Sequence, residues 1–190
     1  MTTSNVSTTE SPADRYRRLG ALFSQRVAAV PADRWDSPSP CAEWTAREVL
    51  RHVVEGETTF PAKVDVDIPA GPSVDDDPVA AWDYTRDAVQ QVLDDPDKAN
   101  REYDGGMGKT TLAASMGSFF CIDLVVHGWD IAHATGTDDA IPAEDVAFVD
   151  EFAKKMGDMI RSASAFGPAL DVPADADEQT KLLAFLGRQA

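Results

Sequence analysis

The 190 residues contain two cysteines, Cys41 and Cys121, and three histidines. Two cysteines are too few for a disulfide framework or a four-cysteine zinc site, and they suit a reducing cytoplasm. Basic residues are also scarce: 17 lysines and arginines face 33 aspartates and glutamates, a formal charge of −16. A phosphate-backbone binder needs a basic face, so nucleic acid is not expected as a partner. The same imbalance argues against docking on an anionic membrane. Long apolar runs are missing; residues 119–126 are interrupted by Asp123 and fall far short of a span. Residues 1–11 have no basic start and no apolar centre, so they read as a disordered polar tail rather than a signal peptide. No solenoid-length repeat, G-x-S-x-G, CxxC or H-E-x-x-H occurs.

What is present is 43% hydrophobic, enough for one core, and residues 12–190 are expected to form a single domain. The periodicity is helical. Tyr16, Leu19, Phe23, Val27 and Val30 make one stripe over about 12–30. Ser37-Pro38-Ser39-Pro40 reads as a connection, and Thr45 with Glu48 as a capping box opening a helix along Val49, Val53, Gly56 and Phe60. Asp77-Pro78 starts a third helix with Trp82, Val89 and Leu93 inward. Residues 94–108 form a polar connection with room for a short hairpin. A fourth helix over about 109–135 places Leu112, Met116, Phe119, Asp123, His127, Asp130 and Ala134 on one face, at spacings of 4, 3, 4, 4, 3, 4. Its other sides are apolar too, so it is expected at the centre, ending at Gly136. A fifth helix follows Pro142 through Val149, Phe152, Ala153, Met156 and Ile160. After a loop over 164–173, a short terminal helix carries Leu182, Leu183 and Leu186. The expected fold is all-α: a four-helix bundle with one or two helices added at the C-terminus.

Asp123 and His127 are two ionisable groups on a stripe that should be buried. At i and i+4 they point the same way. An unpaired carboxylate there would cost several kcal/mol or be forced neutral. A divalent metal compensates both groups at once, and His52, beside the Val49/Val53 stripe, is the candidate third ligand. Three protein ligands leave positions for water or substrate, as in catalytic sites. Spacing alone leaves two other readings open: a helix ion pair for Asp123/His127 and a hydrogen-bonded core histidine for His52. Glu48, four before His52, raises a dinuclear site, although the capping box already uses it. Glu55 and Asp130, each about a turn past a histidine, are candidates for supporting hydrogen bonds. His133 points roughly 100° away at 3.6 residues per turn and is not expected to ligate.

Gly105 to Thr111, with Lys109 inside it, resembles the phosphate loop of deviant Walker ATPases. A phosphate loop needs a buried strand before it, and residues 94–102 are too polar to be one. These residues are read instead as the entry to helix 4. Cys41 and Cys121 are expected to be structural, and the four tryptophans to serve a core and a pocket rim.

The segment from Pro40-Cys41 through Trp44-Thr45 and Arg47-Glu48 to His52 resembles the stretch leading to the first metal histidine in actinobacterial DinB-like proteins. The segment Asp123-Leu-Val-Val-His127-Gly-Trp129-Asp130 is similar to their second motif, with two ligands four apart. Phe166-Gly-Pro-Ala, Val172-Pro-Ala and the run from Leu182 to Arg188 resemble their C-terminal end. The group includes the N-terminal domain of mycothiol-dependent maleylpyruvate isomerase. The resemblance implies a DinB-like four-helix bundle with one divalent metal, zinc or nickel, on His52, Asp123 and His127. It also implies a cytoplasmic thiol-dependent isomerase or S-transferase in which the metal binds mycothiol or another low-molecular-weight thiol for attack on a small-molecule substrate. The rival expectations are a hydrolase using metal-bound water, with Glu48 or Glu55 as base, and a non-enzymatic metal-binding stress-response protein, dimeric through a helix face.

Overall fold

The structure is a computed structural model, which describes residues 10–106, 108–157 and 166–190. Most of the expected tail, and the end of the expected fifth helix with Ile160, lie outside the described residues. The fold is the all-α, DinB-like bundle, built on α1 (Pro12–Ala29), α2 (Ala46–Thr59), α3 (Pro78–Leu93) and α4 (Leu112–Thr135). Helix α5 (Ala143–Met156) and the short α6 (Glu178–Phe185) are the C-terminal additions.

Local chemistry starts each helix. The Ser11 hydroxyl accepts from the Asp14 amide ahead of α1, and the Asp77 carboxylate from the Ala80 amide ahead of α3, each with proline in the first turn. The Thr45/Glu48 capping box opens α2 with both reciprocal bonds present. Gly136 ends α4 at φ 71°, a left-handed cap that costs a glycine nothing. Helix α1 packs on α3 and α4, and α2 on the same two, so the apolar stripes meet along one axis. Phe23 sits edge-on to Trp82 at 4.6 Å between centroids, and the Trp82 indole N–H donates to Ser24 at 2.8 Å.

Two features differ from the sequence expectation. First, residues 109–111 are a strand, not the start of α4. Strands β1 (Glu102–Asp104) and β2 (Lys109–Thr111) pair antiparallel, with Tyr103 opposite Thr110. The glycine run supplies the positive φ values of their turn, at Gly106 and Gly108. Lys109 is exposed and faces Glu102 at 3.6 Å, so the phosphate-loop lookalike is a hairpin.

Second, α4 contains a π turn at Met116–Phe120. This wider turn changes the rotation of the residues before Cys121 relative to those after it. Phe119, expected inward, is 43% exposed and packs edge-on against Phe152 of α5. By length and composition α4 could cross a membrane, but 67% of its apolar stretch is buried inside the bundle. That burial marks it as the core helix.

Candidate metal centre

Helices α2 and α4 lie side by side and bring His52, Asp123 and His127 together. One ligand atom from each lies within 4.8 Å of the other two. The two imidazole rings stand nearly perpendicular, 5.2 Å apart, and Trp44 covers His52 at 5.0 Å. His52 is exposed, Asp123 half-buried and His127 buried, so the cluster forms the floor of an open cleft of about 870 Å³. Pro40, Cys41 and Trp44 line one wall; Phe166 and Arg188 line another.

Charge around the cluster is set by burial and by Asp130. Burial resists a charge on His127, but hydrogen bonds to Asp130 and Cys41 and the negative charge of Asp123 raise its pKa to about 10. His52 is lowered, first by burial and then by the charge of His127. Burial raises Asp123 against the pull of both histidines, and among the described residues its neighbours act on it through charge, with no hydrogen bond.

Asp130 is the hub behind the site. Its carboxylate accepts from His127 Nδ1 at 2.9 Å, from the Cys41 thiol at 3.1 Å and from Arg188 at 3.0 Å on each oxygen. Burial alone would raise this carboxyl, but His127 and Arg188 hold it down at about 2. An ionised Asp130 requires the His127 proton on Nδ1, which leaves Nε2 as the free donor atom. Arg188 is 5% exposed, and it also donates to the Leu186 carbonyl at 3.1 Å and to the Cys41 sulfur at 3.5 Å.

The other candidates fall away from the cluster. Both Glu48 side-chain contacts go back to Thr45, so Glu48 does not join the cluster. Glu55 is exposed and acts on His52 through its charge. His133 stacks on Trp129 and bonds Asp139 at 2.8 Å. Cys41, read from sequence as structural, lines the cleft and touches Asp130. Arg188 and the buried carboxyl of Glu57 were not singled out for the site. Glu57 had a signal, because it stands four residues after Val53 on the apolar stripe of α2. Arg188 had none in spacing, since it meets Asp130 from 58 residues away.

The donor set suits a divalent ion. Two imidazoles and a carboxylate with no hydrogen bond among the described residues converge at a cleft floor, with one ring oriented from behind by a carboxylate. Fold and site together define a DinB-like bundle carrying a two-histidine, one-carboxylate cluster. The family description of the mycothiol maleylpyruvate isomerase N-terminal domain matches residues 16–132, and the chain belongs to that family. The chain is also similar to two proteins of Mycobacterium tuberculosis, the uncharacterized protein Rv0738 of strain H37Rv and the uncharacterized protein MT0763 of strain CDC 1551 / Oshkosh. Each is 29% identical over 188 residues, covering 93% of this chain and 97% of the relative. No solved structure matches the chain.

Proposed function

We propose that the protein binds one divalent ion, zinc or nickel, on His52, Asp123 and His127, and uses it to hold a low-molecular-weight thiol of the mycothiol type for attack on a small electrophile. The reaction is an isomerisation or an S-transfer in the cytoplasm, where such thiols are reduced. The carrying observation is the convergence of three donor atoms within 4.8 Å on the floor of an open cleft. Membership of a family named for a mycothiol-dependent isomerase supports the choice of thiol.

A divalent ion here would supply Lewis acidity and favour the thiolate over the thiol. The rest is the work of the chain. Asp130 fixes the ring of His127 so that its second nitrogen faces the cleft. Arg188 compensates the charge of Asp130 and, lying 5.3 Å over the Phe166 ring, ties the C-terminal segment to the cleft wall. Trp44 and Phe166 give the cleft apolar walls.

Hydrolysis is the weaker reading. It needs a carboxylate base at the cluster, whereas Glu48 is held in the capping box and Glu55 faces solvent. The test is a thiol titration of the cobalt-substituted protein. A thiol-to-metal charge-transfer band that saturates near one thiol per ion is expected. An intact metal site that gives no band with any thiol, yet cleaves ester or amide probes, would overturn the proposal in favour of hydrolysis.

A further inference from the structure

A second cavity, of about 360 Å³, adjoins the candidate metal centre. His52 and Asp123 line both it and the cleft, so the two hollows share part of a wall. The rest of the lining is mostly apolar. Val53 and Phe60 approach from α2 and the turn that follows it, and Phe120 from α4, its ring 4.7 Å from that of Phe60. Thr59 and Lys63 are exposed and sit at the rim. Glu57 is 1% exposed, and one of its oxygens accepts from the Tyr16 hydroxyl of α1, so it offers a ligand almost no polar surface.

Gly56 stands between Val53 and Phe60 on this side of α2, one turn after His52. Only proline is less favourable inside a helix, because ordering a glycine backbone costs more entropy than ordering any other. Packing explains the helix glycines of α4. An added Cβ at Gly117 would meet Pro12 Cβ at 2.6 Å, and one at Gly128 would meet Arg26 Nη1 at 2.7 Å. Among the described residues, a Cβ at Gly56 would meet just the edge of the Phe120 ring, at 3.6 Å, an ordinary contact. The backbone there is helical, so no left-handed φ calls for glycine either. What the missing side chain leaves is open space beside two of the candidate ligands.

We propose that the second cavity seats the electrophile, that it takes the aryl body of a conjugated carbonyl compound, and that Gly56 sets the size of body admitted. This rests on the thiol-dependent reading above, with the thiol in the cleft. The volume lies within the range of small-molecule sites, which are apolar with few polar groups. The Phe60 and Phe120 rings meet at 58°, a tilted pair whose faces and edges suit a third aromatic ring. A substrate held there lies against His52 and Asp123, the same two side chains that face the thiol's cleft. The addition balances without a further reactant. The thiol sulfur bonds to the β-carbon, the carbon–carbon π bond breaks, and the thiol proton ends on the α-carbon.

The test enlarges the side chain in the series Gly56→Ala, Gly56→Val and Gly56→Leu, on the metal-loaded protein. The probes are para-fluorobenzalacetone and ethylideneacetone, which share the enone and carry an aryl ring or a methyl group on it. Fluorine NMR without thiol reads binding of the aryl ketone, and turnover with N-acetylcysteine reads KM for both. Kd and KM for the aryl ketone should rise along the series, by about 10-fold or more in Gly56→Leu. KM for ethylideneacetone, the metal content and the thiol charge-transfer band should be unchanged. Gly56→Ala should also melt above the wild type, because its added carbon enters open space and stiffens the unfolded chain. No aryl binding in the wild type, wild-type aryl binding in Gly56→Leu, or an equal rise for both ketones would overturn the assignment. A Gly56→Ala variant that melts below the wild type would overturn it too. If Gly56→Leu loses its metal, Gly56→Ala decides: weaker aryl binding at full metal content supports the assignment, and wild-type binding overturns it. Aryl binding is read without thiol, so these outcomes are separate from a missing charge-transfer band in the wild type, which would sink the thiol reading instead.

Discussion

At the scale of single residues, Asp130 carries the largest consequences. It accepts from a ring, a thiol and a guanidinium while fully buried. Asp130→Asn removes the charge that Arg188 was buried against, and breaking one side of such a pair costs about 3–5 kcal/mol. It also frees the His127 ring, so metal affinity should fall about 10–100-fold, measurable by competition with a chelating dye. His127→Ala should abolish stoichiometric metal by mass spectrometry, whereas His133→Ala should leave it near normal; equal metal in both would contradict the ligand assignment.

Protonation gives two further expectations. His127, raised to about 10, holds a proton at neutral pH that an ion on Nε2 must displace. His52 is lowered and is already neutral there. Ion binding near neutral pH should therefore release about one proton, read by calorimetry in buffers of different ionisation enthalpy. Glu57 acts on stability. Its pKa rises from 4.5 in the open chain to about 8 in the fold, so the folded state binds a proton more tightly. The resulting stability is full below about pH 4.5 and is lost as pH rises through about 8. Glu57→Gln should flatten this alkaline loss in urea melts, while a slope equal to that of the wild type would place the titration elsewhere.

At the scale of elements, helix entry and close approach position His52 and the Asp123/His127 pair. Thr45→Ala removes the cap at the start of the helix that carries His52, for an expected cost of about 0.5–2 kcal/mol. Gly117 lies in the π turn, and an added Cβ would meet Pro12 Cα at 2.9 Å and Pro12 Cβ at 2.6 Å. Gly117→Ala must push the start of α1 away from α4, lowering stability by about 1–3 kcal/mol in a thermal melt.

The elements also show what the sequence could reveal. Caps, the apolar stripes and the i,i+4 relation of Asp123 to His127 are local, so they could be read directly. The π turn was not legible, because a stripe drawn at 3.6 residues per turn assumes regular rotation; Phe119 was misplaced for that reason. The hairpin was left open because its six strand residues are polar and too short to show alternation.

At the scale of the whole molecule, the C-terminus closes the site. Arg188 crosses from the end of the chain to Asp130, and Phe166 packs with it against the cleft. Such a contact depends on how the chain returns, not on any spacing, and only the resemblance of the C-terminal segment hinted at it. Glu57 was missed for a different reason: its partner Tyr16 comes from another helix, so the pair emerges only when α1 and α2 pack. The bundle thus sets His52, Asp123 and His127 on the floor of a cleft that the C-terminal segment helps to wall.

X-ray absorption at the metal edge of the zinc- or nickel-loaded protein, before and after adding thiol, bears most directly on the proposed centre. Two imidazoles and one carboxylate oxygen are expected around a single ion, with nitrogen about 2.0–2.1 Å from zinc. One sulfur scatterer should appear with thiol. A first shell without imidazole, or one unchanged in His52→Ala and His127→Ala, would contradict the centre.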